Sequence, residues 1–330
     1  MSSAPEISVV MANYNGSPYL AAAIKSLQSQ TFKAWELILV DDASEDDSVD
    51  IATRLGENDA RIAVLRQPTN RGPAAARNRA FKVVRGQWIA VFDSDDMMLP
   101  RRLEALRDRA RNDKASIVAD NLLVFADNAR AARPLLTNDL SVTSHWITLA
   151  DFIDSNRLYS RTPDLGYLKP FINAAMLRNA GITYDERLHI GEDYDFMARL
   201  LAFGPKLRLE PSALYLYRKH PQSTSHRIRK EDIVALLDAD ERLVCGMSTV
   251  DGPVRLAIRR RKQSLESMLL YDRVVTLIKT GHYAQATALG VGAPRVWPLL
   301  TRPVRARWNR LRARGHSSKL AVHEISERPQ

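Results

Sequence analysis

The 330-residue chain has a single cysteine, Cys245, and no long apolar run. One cysteine excludes an internal disulfide framework and a cysteine-rich zinc site. A spanning helix is not expected, because no window of about 18 uninterrupted apolar residues occurs. No apolar stretch follows a basic start, so no signal peptide is predicted. Together these absences predict a reducing, cytoplasmic compartment.

Two glycine-rich phosphate-binding motifs are also missing from the sequence. No Gly-x-Gly-x-x-Gly follows the first predicted strand, and no Gly-Lys-Ser/Thr loop occurs anywhere. Both motifs cradle phosphates with backbone N–H groups. Dinucleotide-dependent redox enzymes and P-loop NTPases are therefore disfavoured. Any phosphate that the protein binds is expected to be handled by a metal ion and basic side chains.

Acidic residues are absent from one C-terminal stretch, between residues 273 and 323, although the whole chain carries a net charge of +10. Arginines and large apolar residues alternate there, at Arg295, Trp297, Leu299, Leu300, Arg302, Arg305, Arg307, Trp308, Arg310, Leu311, Arg312 and Arg314. This pattern is typical of a segment that lies on an anionic membrane surface. The alternative is a solvated tail. A nucleic-acid partner is not predicted, because the sequence has neither a helix-turn-helix signal nor an aromatic RNA-binding strand.

The first half of the chain alternates strand-like and helix-like segments, which indicates an α/β domain. Strands are predicted over residues 7–11, 36–40, 62–65, 88–92 and 117–119, with an Ala-rich helix through Val84 and a helix capped by Ser44 among the connections. Polar clusters follow three of these strands, at 13–15, 41–42 and 93–96. The carboxyl ends of parallel strands meet at one edge of a sheet, where ligands of such folds bind. A binding site is therefore predicted at this edge.

The cluster Asp93-Ser94-Asp95-Asp96 is the strongest candidate for a metal site. Carboxylates packed together repel one another unless a cation neutralises them. One or two carboxylates with open positions suit Mg²⁺ or Mn²⁺ shared with a diphosphate. The alternative interpretation is a solvated turn with helix-capping aspartates.

Six pieces of the sequence, in order, resemble family 2 glycosyltransferases with the GT-A fold. They are VVMANYN (9–15), QTF (30–32), WELILVDDAS (35–44), NRGPAAARN (70–78), FDSDD (92–96) and IGEDYDF (190–196). Within that family the chain is similar to bacterial exopolysaccharide transferases of the succinoglycan type. The resemblance implies a mixed, Rossmann-like α/β sheet flanked by helices. The catalytic domain would span residues 1–226, with a nucleotide-binding half of about 1–125 and an acceptor half of about 126–226, and a basic helical extension would span 227–330.

The resemblance also implies roles on the donor side of the site. Ala12 and Tyr14 would line the nucleoside pocket, and Asp42 would accept a hydrogen bond from the base. Arg77 and Asn78 would lie near the diphosphate and ribose. Asp93 would bind the ribose or a metal-bound water, while Asp95 and Asp96 would hold Mg²⁺ or Mn²⁺. Tyr14 would stack on the base. From the residues alone, Tyr14 could equally be a core aromatic and Arg77 a surface cation.

Glu192-Asp193 resembles the acidic pair that supplies the family's catalytic base, and Asp193 is assigned that role. Transfer with inversion needs one carboxylate to deprotonate the incoming hydroxyl, at a carbon that passes through an oxocarbenium-like state. The alternative is that these residues and Asp195 cap a helix beginning near Tyr194.

Acceptor and further metal contacts are implied by neighbouring segments. Tyr167, Lys169 and Glu192 are the acceptor candidates, and Asp120-Asn121 at a predicted strand end is another. His226, and with less support His220, would join the metal.

These inferences predict a hexosyltransferase that moves one sugar from a nucleotide-sugar, specifically a UDP-sugar, to a glycan or lipid-linked oligosaccharide in exopolysaccharide biosynthesis. The Gln-x-x-Arg-Trp segment of processive synthases is missing, which favours a single addition. The expected location is cytoplasmic, with peripheral contact at the inner membrane. The alternatives are an inactive GT-A-fold binding protein and a basic nucleic-acid-binding protein.

Overall fold

The computed structural model describes residues 4–127, 131–137, 146–158, 160, 162–220 and 228–292. The chain divides into two compact units, residues 1–262 and 263–330. The division falls inside a long helix, Gly252–Lys279. The first unit therefore contains the predicted catalytic part together with the helix Lys230–Cys245.

Four parallel strands form the first half of the sheet, in the order β3-β2-β1-β4. The strands and their connecting helices are β1 (Ile7–Asn13), α1 (Ser17–Gln28), β2 (Trp35–Asp41), α2 (Ser48–Glu57), β3 (Ile62–Arg66), α3 (Gly72–Phe81) and β4 (Trp88–Val91). β1 and β2 are buried almost along their whole length, which explains why they have near-continuous apolar sequences. The predicted α/β alternation is confirmed, and the polar clusters lie at the carboxyl ends of β1, β2 and β4.

The second half of the sheet mixes strand directions, as the GT-A resemblance implied. Its elements are β5 (Met97–Met98), α4 (Arg102–Asn112), β6 (Ile117–Ala126), β7 (Arg133–Pro134), β8 (Trp146–Ile147), α5 (Leu149–Ser155), a 3₁₀ turn (Leu165–Tyr167), β9 (Phe171–Asn173), α6 (Ala174–Ala180), α7 (Glu192–Ala202) and β10 (Leu207–Lys219). The short strand β9 runs antiparallel between β4 and β6, and β10 runs parallel to β6. β9 therefore joins the two halves of the sheet.

Several predicted boundaries differ from the structure. β6 continues from Ile117 to Ala126, well beyond the predicted end at residue 119. The Ala-rich helix ends at Phe81, not at Val84. Ser44 does not cap α2, which begins at Ser48. The Ser44 hydroxyl instead donates to Asp41 Oδ2 at 2.6 Å, and this hydrogen bond closes the turn after β2.

Among the described residues after β10 are the helices α8 (Lys230–Cys245), α9 (Gly252–Lys279) and α10 (Tyr283–Val291). The helical character predicted for this region is confirmed over its described residues. In the second unit, Val274 and Ala286 are buried against partly buried apolar side chains. Among the helices that the structure describes, none combines the length and apolarity needed to cross a membrane.

Candidate active site

The acidic turn after β4 brings three carboxylates together. Asp93, Asp95 and Asp96 each offer an oxygen within 4.8 Å of the others. The Tyr215 hydroxyl donates to Asp96 Oδ2 at 2.7 Å and accepts from the Asp93 backbone N–H at 3.1 Å. The Arg218 backbone N–H donates to Asp96 Oδ1 at 2.7 Å. Because Asp96 is only 1% exposed, the interpretation of the turn as solvated is wrong for this residue. Strand β10 thus fixes the far end of the turn.

We call Asp95 and Asp96, with the β10 residues that contact them, the acidic end of the site. Burial, and after it the charges of Asp95 and Asp93, raises the pKa of Asp96 well above its usual value. Both donors to its carboxylate are neutral groups. His220 Nε2 lies 2.9 Å from Asp95 Oδ2. A negative charge on Asp96 is therefore energetically costly unless a cation binds beside it.

The Arg218 side chain lies beside the acidic end. Its Nε donates to the Asp95 carbonyl at 2.9 Å, and Nη1 donates to Asp127. Its guanidinium carbon lies 4.9 Å from the ring centroid of Tyr19 and 4.7 Å from that of Phe125. These contacts hold the backbone of the acidic turn in place.

A second group of charges, which we call the bridge cluster, consists of Arg77, Lys169, Asp93, Glu192 and Asp193. Arg77 Nη2 lies 2.8 Å from Asp93 Oδ1, and its Nη1 lies 3.2 Å from both Glu192 Oε1 and Asp193 Oδ1. Lys169 Nζ lies 2.7 Å from Asp93 Oδ2 and 3.0 Å from Asp193 Oδ2. Two buried cations thus connect the acidic turn to the predicted base. The interpretation of Arg77 as a surface cation is wrong.

Burial and neighbouring charges shift the pKa values of three members of the bridge cluster. Burial alone would lower the pKa of Lys169, but the charges of Asp193 and Asp93 outweigh it and raise that pKa well above its usual value. Burial would raise the pKa of Asp93, but Lys169 and Arg77 outweigh it and hold that pKa well below its usual range. Burial, and then the charge of Asp193, raises the pKa of Glu192. The ion pairs of the cluster therefore favour the charged forms of Asp93 and Lys169 in particular.

The members of the bridge cluster come from four separate segments of the chain. Arg77 lies in α3, Asp93 after β4 and Lys169 just before β9, while Glu192 and Asp193 open α7. The N-cap of α7 is Gly191, with φ of 82°, a conformation that favours glycine. No side chain caps this helix, so Asp193 does not act as a cap.

Asp195, the other residue that the sequence suggests as a cap of α7, is paired with Arg199 instead. Its Oδ2 accepts from Arg199 Nη2 at 2.5 Å, one turn further along α7. Asp195 therefore forms an internal ion pair of the helix and lies outside the bridge cluster.

The predicted nucleoside-binding residues lie at the carboxyl ends of β1 and β2. Ala12, the next-to-last residue of β1, is half-buried. Tyr14 is 49% exposed, so its interpretation as a core aromatic is wrong. The Asp42 carboxylate is buried and accepts from Gln67 Nε2 at 2.6 Å and from the backbone N–H groups of Arg71 and Gly72 at 2.9 and 2.7 Å. Asp42 therefore shapes the turn that leads into α3.

Asn78 does not join the bridge cluster, although Arg77 is its neighbour in sequence. Its amide donates to the Tyr184 carbonyl at 2.9 Å and to Glu186 Oε1 at 3.1 Å, and its Oδ1 accepts from the Tyr184 backbone N–H at 2.8 Å. These bonds hold the segment that precedes α7. The predicted contact of Asn78 with diphosphate and ribose stays a prediction.

The acceptor candidates divide into two groups. Tyr167 packs edge-on against Tyr217, with ring centroids 5.7 Å apart, and Lys169 belongs to the bridge cluster. The prediction that Asp120 and Asn121 contact the acceptor is corrected by their burial. Asp120 forms an ion pair with Arg102 at 2.9 Å, and Asn121 hydrogen-bonds the Leu136 backbone. Because β6 continues past residue 119, these side chains lie within the sheet, away from its edge. His226 lies outside the described residues.

Comparison with known proteins identifies the family. Residues 8–178 match the family described as glycosyl transferase family 2. The succinoglycan biosynthesis protein ExoO of Rhizobium meliloti is 34% identical over 94% of this chain and 88% of its own length.

Solved structures show the same fold. Staphylococcus aureus TarS 1–349 in complex with UDP-GlcNAc superposes with a TM-score of 0.64, at 18% identity over 82% of this chain and 80% of its own. The mannosyltransferase PcManGT from Pyrobaculum calidifontis, in complex with GDP-Man and Mn²⁺, gives a TM-score of 0.60 at 16% identity over 94% and 83%. The chain is thus a GT-A-fold glycosyltransferase and belongs to glycosyl transferase family 2.

Proposed function

We propose that this enzyme transfers one sugar, with inversion, from a UDP-sugar to a glycan or lipid-linked oligosaccharide in exopolysaccharide biosynthesis. The observation that carries the proposal is the position of Asp193, which two buried cations hold opposite Asp93 at the sheet edge. The name of the succinoglycan relative supports the pathway class. The UDP-GlcNAc complex of the structural neighbour supports the donor class.

The residues of the acidic end fit a divalent cation. Asp95 and Asp96 are hard oxygen donors, and among the described residues the hydrogen-bond donors to the Asp96 carboxylate are two neutral groups, the Tyr215 hydroxyl and the Arg218 backbone N–H. Asp93, in contrast, is already paired with Arg77 and Lys169. We assign Asp95 and Asp96 as the residues that would hold Mg²⁺ or Mn²⁺. When bound, the cation would stabilise the charge that builds on the departing nucleoside diphosphate.

Asp193 is assigned as the general base. Its two carboxylate oxygens contact Arg77 and Lys169, which fix its orientation at the start of α7. A carboxylate in that position can take the proton of an acceptor hydroxyl as the hydroxyl attacks the anomeric carbon, on the face opposite the leaving diphosphate. Such a base contributes about 10²- to 10⁴-fold in rate.

The exposed Tyr14 ring is assigned to stack on the donor base at the end of β1. Its exposure of 49% leaves a face available to a ligand, and stacking of a base on an aromatic side chain contributes about 1–3 kcal/mol. With the proposed cation site and the general base Asp193, this assignment would have donor and acceptor bind at one edge of the sheet.

A donor screen on the purified protein tests the proposal. Release of nucleoside diphosphate would be followed from UDP-, GDP- and dTDP-sugars with Mg²⁺ or Mn²⁺, with the Asp193→Asn variant beside it. We expect release from a UDP-sugar that stops on chelation and falls by about 10²-fold or more in the variant. Asp238→Asn, which removes an exposed carboxylate on α8, is the matched control and should retain the wild-type rate.

Two outcomes would contradict the proposal. Full activity of Asp193→Asn would exclude Asp193 as the base. If no donor releases nucleoside diphosphate, UDP binding in the presence of the metal would be measured by calorimetry. Failure of UDP to bind would mean that this GT-A-fold protein is not a UDP-sugar transferase.

The proposed location at an anionic membrane depends on the arginine-rich stretch of residues 294–315, which lies outside the described residues. It is supported by the sequence pattern alone, in which each cation near an anionic surface contributes about 1 kcal/mol. Co-sedimentation with anionic vesicles at physiological salt tests it, and indifference to such vesicles would refute it.

A further inference from the structure

Helix α8 packs directly against the backbone that precedes Asp193. A Cβ built on Gly191 would lie 2.6 Å from Leu236 Cδ2, so the Leu236 side chain occupies the space that a larger residue would need. Leu236 and Asp240 lie one turn apart on the same face of α8. The same face therefore reaches both the N-cap of α7 and, through Asp240, its first turn.

The residue next to the base, Tyr194, is held by a buried ion pair from α8 and α9. Its hydroxyl donates to Asp240 Oδ1 at 2.9 Å, and Arg261 Nε donates to Asp240 Oδ2 at 2.9 Å. The Arg261 guanidinium lies 3.6 Å from the centroid of the Tyr194 ring. Its Nη1 also donates to the Asn156 carbonyl. Ring stacking, hydrogen bonding and ion pairing thus fix Tyr194 together.

Net stabilisation is a poor explanation for this arrangement. Tyr194, Asp240 and Arg261 are at most 4% exposed, and a buried ion pair is often no more stable than apolar residues of the same volume. What the pair adds is geometry, because a guanidinium that stacks and donates at fixed angles allows only one placement of its partners. Burial also raises the pKa of the Tyr194 hydroxyl well above its usual value, so that hydroxyl stays a donor.

A third contact reaches the loop in front of the base. Arg242 Nη2, two residues after Asp240 in α8, lies 3.0 Å from Asp185 Oδ2. The segment from residue 185 to residue 194 is therefore fastened to α8 at both ends and at Gly191.

We propose that Tyr194, Asp240 and Arg261 are positioning residues for Asp193, through which the C-terminal helices align the catalytic base. The inference rests on the proposed role of Asp193. Its physical content is that the first turn of α7 needs support from outside the sheet to keep Asp193 within reach of Lys169 and the acceptor hydroxyl. All three residues lie beyond the family match at residues 8–178.

The test uses the full chain and two variants, Tyr194→Phe and Asp240→Asn. Tyr194→Phe removes one hydroxyl and keeps the ring against Arg261 and Phe152, so it preserves the packing. We expect kcat to fall by about tenfold to 10²-fold, the loss that follows small misplacement of reacting groups. The donor KM and the calorimetric Kd for UDP should change by less than about twofold, because the donor side is untouched. Glu241→Gln, at an exposed neighbour in α8, is the matched control.

A double-mutant cycle separates positioning from a general structural effect. If Tyr194 acts through Asp193, adding Tyr194→Phe to Asp193→Asn should leave the residual rate unchanged. Independent, multiplying losses would overturn the inference, as would a wild-type kcat for Tyr194→Phe while Asp193→Asn is inactive. If Asp193→Asn itself keeps full activity, the proposed base is wrong and the inference falls with it.

Discussion

Asp93 and Asp96, carboxylates at the two ends of the candidate active site, have pKa values that are shifted in opposite directions. In the bridge cluster, Asp93 is paired with two buried cations, and the charges of Lys169 and Arg77 hold its pKa well below the usual range against the effect of burial. At the acidic end of the same turn, burial and neighbouring carboxylates raise the pKa of Asp96 well above its usual value. One carboxylate is therefore satisfied by the protein, and the other is suited to a cation that the protein does not supply.

This difference assigns separate tasks to adjacent residues. The bridge cluster is a set of fixed charges that connects the acidic turn to Asp193, and its geometry is complete without a ligand. At the acidic end, a negative charge on the buried Asp96 is energetically costly, and a bound cation would reduce that cost.

Breaking the bridge cluster should have the largest effect. Lys169→Met leaves Asp93 and Asp193 to share Arg77 alone, and removal of one partner from a buried ion pair typically costs about 3–5 kcal/mol. Because both carboxylates keep some exposure, at 20% and 19%, we expect a loss near the lower end of that range. Misplacement of Asp193 should also lower the transfer rate by about 10²-fold. Urea unfolding and nucleoside diphosphate release measure the two effects.

The control for this variant is Lys262→Met. Lys262 Nζ lies 3.1 Å from Glu241 Oε1, but both side chains are about half exposed or more. Exposed pairs contribute at most about 1 kcal/mol, so the control should be nearly neutral. Wild-type stability and rate in Lys169→Met would show that the bridge cluster has no structural or catalytic role.

Cation binding should depend on the acidic end alone. Mn²⁺ at about 100 times its Kd should stabilise the wild-type protein by about 2.7 kcal/mol, and chelation should reverse this. The double variant Asp95→Asn/Asp96→Asn should lose the stabilisation, whereas Glu192→Gln, which removes a carboxylate from the bridge cluster, should keep it. Thermal unfolding with and without Mn²⁺ provides the measurement. Equal stabilisation of all three proteins would contradict the division between the two ends.

Sequence alone predicts well where the polar residues after β1, β2 and β4 lie, because these residues are contiguous with their strands. A buried apolar run followed by polar residues places Tyr14, Asp42 and Asp93 at one sheet edge, as parallel strands require. The same rule fails for Asp120, because β6 continues to Ala126, several residues beyond its predicted end at residue 119. There the side chain turns into the sheet and pairs with Arg102.

The bridge cluster could not be predicted from sequence, because pairing depends on segments that meet only in three dimensions. The family resemblance predicts that Arg77 lies near the diphosphate and Lys169 near the acceptor, and no local signal indicates that both contact Asp193. The short strand β9, which positions Lys169, has only three residues and no alternating pattern. The local sequence does not single out Tyr215 either, because its hydrogen bonds to Asp93 and Asp96 join segments far apart in the chain.

The pH dependence of stability is the smallest effect and gives the sharpest comparison. The folded-state pKa of Asp96 is raised, so its contribution to metal-free stability is complete below the unfolded value near 3.8 and is lost as pH rises through the folded pKa. The folded-state pKa of Asp93 is lowered, so its contribution is present above that unfolded value and is lost as pH falls through the folded pKa. The two carboxylates therefore produce opposite slopes.

Difference measurements against Asp96→Asn and Asp93→Asn isolate these slopes from every other titrating group. In EDTA, from about pH 4 upward, Asp96→Asn should gain stability relative to the wild type by up to about 1.4 kcal/mol per pH unit until the folded pKa of Asp96 is passed. Asp93→Asn should be less stable than the wild type at neutral pH, and this deficit should shrink only below about pH 4. Parallel profiles for the two variants would mean that both carboxylates experience the same environment, and the distinction between a protein-paired and a cation-suited carboxylate would then be wrong.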